Sequence, residues 1–189
     1  MFQVRIHGRG GQGVVTAAEL LAVAVFNEGK HAQAFPSFGS ERTGAPVVAY
    51  CRISGHEIRA REPIMEPDAL IIQDPSLIKQ IDLFAGLKPG GFVIINSIDS
   101  AEELHLAQKI AVPNSLAILP ATEIAMTHLG RPVPNAVLLG AFSALTGVVS
   151  LDAVTNAINE KFKPKVAAGN IAAATAAYLY VMDQVATHA

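Results

Sequence analysis

Glycine is concentrated near the start of the chain, in a spacing typical of a loop that binds an anion. The stretch Gly8-Arg9-Gly10-Gly11-Gln12-Gly13 fits the pattern G-x-G-x-x-G and carries a fourth glycine at its centre. Such a loop adopts backbone angles that other residues avoid, so several N–H groups can point at one ligand. The positive end of the dipole of the helix that follows favours negative charge at the same place. The pattern therefore predicts a phosphate-binding loop.

The elements predicted on either side of this loop support that interpretation. Residues 2–7 read as a central parallel strand, and residues 11–27 carry the apolar stripe of a helix. A dinucleotide site also needs an Asp or Glu at the tip of the next strand, yet the strand predicted at 31–35 ends without one. A nicotinamide cofactor is therefore the less favoured hypothesis. A third one stays open, in which the glycines serve only a tight turn and close helix–sheet packing.

A second loop, with the densest set of polar groups in the first half of the chain, follows that strand. It reads Pro36-Ser37-Phe38-Gly39-Ser40-Glu41-Arg42-Thr43-Gly44-Ala45-Pro46. We expect it at the carboxyl end of the sheet, beside the glycine loop, where open α/β sheets bind ligands. Because long irregular loops at that edge commonly carry function, we interpret Ser37 to Gly44 as part of the same binding site. A solvated loop with no ligand is the alternative.

Composition limits the kind of protein this can be. The 189 residues predict a single domain spanning 1–189, and the net charge of −2 gives no sign of a nucleic-acid or anionic-membrane partner. Charged residues make up only 16% of the chain, where about 25% is ordinary. We therefore expect an obligate subunit whose surface is covered by other chains. No stretch has the length and apolar character of a membrane span, and no secretory signal is expected, so the predicted location is cytoplasmic.

Cysteine and histidine usage restricts the redox chemistry of the chain itself. Cys51 is the only cysteine, which excludes an internal disulfide and fits a reducing compartment. An iron–sulfur cluster normally takes four cysteine ligands, so this chain alone holds no conventional cluster. The six histidines show no ligand spacing, and no metal site is expected. There is also no nucleophile elbow and no lysine-ending phosphate loop, so no catalytic residue is assigned.

The remaining pattern predicts an α/β fold with three layers, similar to a Rossmann domain. Its sheet is mixed but mostly parallel and includes a β-hairpin of strands 47–53 and 57–60 around Ser54-Gly55-His56. Buried strands are expected at 69–73 and 92–96, joined by a helix that Asp74-Pro75 begins and whose inner stripe runs from Leu77 to Phe84. Short strands follow at 108–112 and 116–119. The C-terminal part reads as helical, at 122–129, 135–145, a segment capped by Ser150 and ended by Pro164, and 170–186.

Several motifs together resemble one known family. The glycine loop, followed by the stretch from Pro36 to Pro46, is similar to the gamma subunit of 2-oxoacid:ferredoxin oxidoreductases, most closely the pyruvate synthase type. The segments Pro120-Ala121-Thr122-Glu123-Ile124-Ala125 and Gly130-Arg131-Pro132 match as well, together with Asn135 and Leu139-Gly140-Ala141. The resemblance spans nearly the whole chain.

The resemblance implies a subunit of an enzyme that decarboxylates a 2-oxoacid such as pyruvate and forms its acyl-CoA, passing electrons to ferredoxin or a similar acceptor. Thiamine diphosphate, Mg and the [4Fe-4S] clusters would belong to partner subunits of the alpha, beta and delta types. This chain would help to bind coenzyme A, with its phosphates on the amides of the glycine loop and Arg9 or Arg42 as charge partners. A relative acting on aromatic or branched-chain 2-oxoacids would look much the same.

Overall fold

A six-stranded mixed sheet forms the centre of the computed structural model, which describes residues 1–37, 43–107, 109–110 and 115–188. The strands are β1 (Phe2–Arg9), β2 (His31–Pro36), β3 (Pro46–Ser54), β4 (Ala69–Ile72), β5 (Phe92–Asn96) and β6 (Leu116–Leu119). They lie in the order β2-β3-β1-β4-β5-β6. β3 is antiparallel to β1 and β2, whereas β1, β4, β5 and β6 are mutually parallel. The predicted mixed, mostly parallel α/β sheet is confirmed.

Five α-helices pack on one face of this sheet. They are α1 (Val14–Asn27), α2 (Ala121–Leu129), α3 (Asn135–Thr146), α4 (Leu151–Lys161) and α5 (Pro164–His188). Their apolar side chains share one core cluster with the strand residues Val4, Ile6, Ile71 and Ile94, and α4 also packs on α1. The helical C-terminal part is therefore confirmed. α5 begins six residues earlier than predicted, since a proline in the first helical turn loses no hydrogen bond.

The opposite face is covered differently from the prediction. Leu70, Ile72, Val93 and Ile95 point to this side, where a short 3-10 helix (Pro75–Lys79) and a series of turns cover them. The α-helix predicted after Asp74-Pro75 was wrong beyond its first turn. The guanidinium of Arg5 explains this, because its Nη2 donates to the carbonyls of residues 83 and 85, at 2.7 and 2.8 Å. In a continuous α-helix, those carbonyls would accept hydrogen bonds within the helix or point away from Arg5.

The predicted hairpin joined β3 to the segment that follows it in the chain, and this pairing was wrong. Residues 57–60 form no strand, and both edges of β3 are occupied by β1 and β2. Arg52 of β3, 1% exposed, donates to the backbone carbonyls of Ala60 and Glu62 and holds that segment across the face of the sheet. The antiparallel hairpin is instead β2–β3, joined by the polar loop. β6 coincides with its prediction, while the strand predicted at 108–112 lies largely outside the described residues.

Candidate functional site

The glycine loop links the carboxyl end of β1 directly to the first turn of α1. Gly11 and Gly13 have φ angles of +92° and +74°, and Gly13 is the left-handed residue that precedes the helix. At Gly8 a Cβ would lie 2.6 Å from Cγ2 of Val14, so only glycine lets the helix approach the strand. The predicted turn and close helix–sheet packing are both present. These roles alone explain part of the motif.

The beginning of α1 nevertheless remains open to a ligand. Val14, Val15 and Thr16 form the first helical turn, so their N–H groups have no acceptor within the helix, and no side chain caps it. A cavity of about 330 Å³ lies at this end. Its lining residues are Arg9, Gly10, Gly11, Gly13, Val14, Val15, Thr16 and Val47. The arrangement can place several backbone donors and a positive dipole end around one small anion.

The described end of the second predicted loop, residues 43–45, lies against the first loop, as expected. The N–H of Gly10 donates to the carbonyl of Ala45 at 2.9 Å, and the N–H of Gly44 donates to the carbonyl of Gly10 at 3.1 Å. Gly10 and Thr43 also form an isolated parallel bridge. Ser37 continues the β2–β3 ladder, with its N–H on the carbonyl of Val48. The predicted site residues Phe38, Gly39, Ser40, Glu41 and Arg42 lie outside the described residues.

A hydrogen-bonded network holds the glycine loop from the side of β4. Nε of Arg9 and Nε2 of Gln12 both donate to Oδ2 of Asp74 at 3.0 Å, and Oε1 of Gln12 accepts from the N–H of Arg9 at 2.7 Å. The guanidinium also donates to Oγ of Ser76 and to the carbonyl of Gly44. The charge of Arg9 is thus balanced by a carboxylate. Through these hydrogen bonds, Arg9 ties the glycine loop to Asp74, to Ser76 and to the end of the second loop.

Asp74 is more than the helix cap that its sequence position indicated. Its Oδ1 does accept from the N–H of Ser76 at 3.0 Å, which confirms the capping role. Partial burial acts to raise the pKa of this carboxyl, but hydrogen bonds from Ser76 and Gln12 and the charge of Arg9 together lower it. Sequence reasoning missed its ion pair with Arg9, because the two residues lie 65 positions apart.

Two buried amide side chains lie beneath the loop and were not predicted. Gln73, 1% exposed, follows β4, and neither its Oε1 nor its Nε2 has a hydrogen-bond partner among the described residues. Asn135, 4% exposed, begins α3 with its Nδ2 2.7 Å from the position that a Cβ on Gly13 would take. In the sequence, one feature could have indicated a role for Gln73: it is a polar residue at the carboxyl end of an apolar strand.

The ionisable side chains of Arg5 and His7, on the other face of β1, are not part of this site. Nε of Arg5 donates to Nε2 of His7 at 3.0 Å. Burial, with a further contribution from the charge of Arg5, lowers the pKa of His7 to about 3. The imidazole is therefore neutral, serves as an acceptor, and supplies no charge to an anion.

Within the described ranges, no three His, Cys, Asp or Glu side chains come together as a possible metal site. No described helix has both the length and the apolar character needed to cross a membrane.

Comparison with known proteins gives consistent results for sequence and structure. Residues 3–180 match the family model described as pyruvate ferredoxin/flavodoxin oxidoreductase. The pyruvate/ketoisovalerate oxidoreductases common subunit gamma of Thermococcus kodakarensis is 48% identical, over 94% of this chain and 96% of that protein. Pyruvate synthase subunit PorC of Methanothermobacter marburgensis is 44% identical over the same shares of the two chains.

Solved structures show the same fold. The crystal structure of pyruvate oxidoreductase subunit PORC from Thermotoga maritima has a TM-score of 0.81 and 34% identity, covering 94% of this chain and 95% of that one. A 2-oxoglutarate:ferredoxin oxidoreductase from Magnetococcus marinus matches with a TM-score of 0.77 at 19% identity, over 96% of this chain but 31% of the longer one. The chain belongs to the pyruvate ferredoxin/flavodoxin oxidoreductase family, as a gamma subunit of such an enzyme.

Proposed function

We propose that this gamma subunit binds coenzyme A through its phosphate groups at the amino-terminal end of α1. The observation that supports this most directly is the open cavity of about 330 Å³ at the first turn of α1, where the N–H groups have no helical acceptor. A cavity of this size suits a phosphate or diphosphate rather than the whole carrier. The Magnetococcus marinus enzyme, similar in fold, is described with coenzyme A bound.

Each part of the site has a distinct proposed role. The backbone of Gly8–Gly13 and the first turn of α1 donate hydrogen bonds to phosphate oxygens. Asp74 and Gln12 keep Arg9 and the loop in place, and the remaining guanidinium donors of Arg9 extend toward the ligand. The loop from Ser37 to Gly44 contributes further contacts, with Arg42 as the proposed second charge partner. No residue of this chain is proposed to take part in bond making or breaking.

The chemical step is proposed to lie in partner subunits of alpha, beta and delta type. There thiamine diphosphate, with Mg, and [4Fe-4S] clusters would supply the decarboxylation and electron transfer that convert a 2-oxoacid such as pyruvate to its acyl-CoA. The electrons would reach ferredoxin or a similar acceptor. The lone, buried Cys51 agrees with clusters held elsewhere. We propose that the whole chain, 1–189, is one gamma-type domain working in the cytoplasm.

The test places a negative charge where the phosphate is proposed to bind. In Thr16→Glu, a carboxylate enters the cavity at the third helical position, where a glutamate is favourable for the helix itself. We expect the Michaelis constant for coenzyme A of the assembled enzyme to rise at least about tenfold, since two anions then compete for the same donors.

The matched control is Thr16→Gln, which has nearly the same size and no charge. We expect it to change that constant by less than about threefold. Binding of coenzyme A and of pantetheine, which lacks the phosphates, is compared by calorimetry on the isolated subunit. The proposal is wrong if both variants bind coenzyme A like the original chain, or if pantetheine binds as tightly as coenzyme A.

Two other functions would give different results in these measurements. A free-standing nicotinamide protein would elute as a colourless monomer and bind NAD in the same titration. A purely structural subunit would bind neither ligand, and Thr16→Glu would leave the kinetics of the intact complex unchanged. The Asp or Glu that would hold a ribose is absent from the tip of β2, which ends at Pro36.

A further inference from the structure

A second and larger cavity lies three strands away from the glycine loop. This groove, of about 1020 Å³, runs between the outer edge of β6, the carboxyl-terminal half of α5 and the turns that follow β5. Its apolar lining residues include Ile98, Leu106, Ile110, Leu116, Ile118 and Val185. Ile98 is 78% exposed. An apolar groove of this size at a sheet edge is typical of a docking surface.

The edge of β6 that borders the groove carries a side-chain hydrogen bond in place of a neighbouring strand. β6 is the last strand of the sheet, and no other strand in the described part of the chain pairs with its outer side. The carbonyl of Ile118 accepts from Nε2 of Gln184 at 2.8 Å, so it points away from β5. Along a parallel strand, the backbone N–H and C=O groups of successive residues face opposite edges. Those of Leu116, two residues before Ile118, therefore also face outward. The Gln184 amide thus occupies one position that a partner backbone would take.

The rim of the groove is acidic. Asp99, Glu102, Glu103 and Glu123 all line it, and the described lining residues include no lysine or arginine. Glu103 also accepts from the N–H of Ser100 at 2.7 Å, and all four carboxylates are on exposed residues. Clustered negative charge on a surface attracts a partner of opposite charge and disfavours acidic ones.

We propose that this groove binds an extended, basic segment of a partner subunit, which adds to the outer edge of β6. Backbone groups of that segment would pair with Leu116 and, in place of the Gln184 amide, with Ile118. Alternate apolar side chains of the segment would enter the groove. Its lysines or arginines would lie against the acidic rim. This inference rests on membership of a multi-subunit enzyme and is independent of coenzyme A binding at the glycine loop. A second copy of this chain would be a different occupant and is distinguished below.

The deciding experiment measures affinity for the partner subunits after the rim charge is reversed. In Glu102→Lys/Glu123→Lys, we expect the dissociation constant for the purified partner subunits, at low salt, to rise at least about thirtyfold. Glu57→Lys is the control, because Glu57 is also exposed but lies outside the groove, and it should stay within threefold of the original chain. Thermal unfolding and titration with coenzyme A check that each variant is folded. An equal dissociation constant for the double variant and the original chain would overturn the proposal.

Cross-linking of the assembled enzyme identifies the occupant. A water-soluble carbodiimide joins a carboxylate to a lysine in direct contact with it, and mass spectrometry locates the joined peptides. We expect links from Asp99, Glu102 or Glu123 to lysines in one segment of a partner subunit. Links that join these carboxylates only to a second copy of this chain would also overturn the proposal, whatever the glycine loop binds.

Discussion

At the scale of single residues, the glycine motif has structural roles that the structure shows and a proposed role in binding an anion. Gly8 allows close helix–strand packing, and Gly13 turns the chain into α1 in a left-handed conformation. What makes the place a candidate anion site is the set of free N–H groups that follows, together with the Arg9–Asp74 pair that stabilises the loop. Glycine spacing alone therefore indicates a conformation, and the proposal of an anionic ligand rests on the surrounding donors.

The carboxylate of Asp74 should make the loop sensitive to acid. Asp74→Asn weakens hydrogen bonds to a charged acceptor and should lower the free energy of unfolding by about 1–2 kcal/mol at neutral pH. The folded-state pKa of Asp74 lies below its ordinary value of about 3.9. The carboxylate therefore contributes its full stabilisation above about pH 3.9, and this contribution is lost as the pH falls through the folded-state pKa. Urea unfolding between pH 3 and 7 measures this.

The control for that prediction is Asp183→Asn, an exposed carboxylate on α5. It should leave the pH dependence of the free energy of unfolding nearly unchanged. If Asp74→Asn retains the same acid dependence as the original chain, the network does not hold the loop in the way described.

Cys51 should be chemically inert while the chain is folded. Complete burial raises the pKa of its thiol to about 12, so very little reactive thiolate forms near pH 8. We expect no labelling by iodoacetamide of the native subunit and complete labelling in denaturant, both read by mass spectrometry. Rapid labelling of the native subunit would contradict the burial described.

At the scale of elements, the close contact of α3 and α5 organises the helical half. A Cβ at Gly140 would lie 2.0 Å from the backbone carbonyl of Ala174, so the two helices meet backbone to backbone. The small side chains of these alanine- and glycine-rich helices permit the short distance between the two backbones. α3 packs over β5 and β6 and α5 packs over β6, and α5 alone of the two supplies one wall of the groove beside β6, through Tyr180, Gln184 and Val185.

Gly140→Ala tests that contact. Alanine is normally the better helix residue by about 0.5–1 kcal/mol, but here its methyl group must push α3 and α5 apart. We expect a net loss of about 1–3 kcal/mol in the free energy of unfolding, measured with urea. Gly55→Ala, whose Cβ would have no atom within 4 Å, should change it by less than about 0.5 kcal/mol. A stabilising Gly140→Ala would show that the helices are further apart than described.

At the scale of the whole molecule, low charge and exposed apolar side chains fit a subunit. Phe26 and Met65 are more than 70% exposed, on a chain whose charged fraction is only 16%. Isolated exposed apolar residues are ordinary, but here they accompany an open groove at a sheet edge. Contact with other chains would cover these surfaces.

Purification without a tag from the native source should therefore recover the chain in a coloured complex. We expect this chain to co-elute with subunits that show iron–sulfur absorbance in the visible range, and to be colourless once separated from them by denaturant. Size-exclusion chromatography with absorbance detection and peptide mass spectrometry measures both outcomes. A colourless native monomer would contradict the assignment of the clusters to partners.

Much of the local structure was predictable because it depends on neighbouring residues. The strands at Phe92–Asn96 and Leu116–Leu119 are continuous apolar runs bounded by turns. The spacing of the glycines predicted the loop between β1 and α1. Ser150 was predicted as a cap, and its Oγ accepts from the N–H of Ala153 at 3.1 Å. Local interactions of this kind can be predicted from the order of the residues.

Long-range pairing was decided only by the tertiary structure. Nothing near Arg9 in sequence indicates Asp74 as its partner. The buried guanidiniums of Arg5 and Arg52 donate to backbone carbonyls at places where an α-helix and a strand were predicted. The sequence by itself determined the family, the fold class and the position of the glycine loop between β1 and α1. Contacts across the fold decide which strand pairs with β3, which carboxylate balances the charge of Arg9 and which edge of β6 lacks a neighbouring strand. The reason is that buried polar groups pair with whichever partner the packed chain brings near.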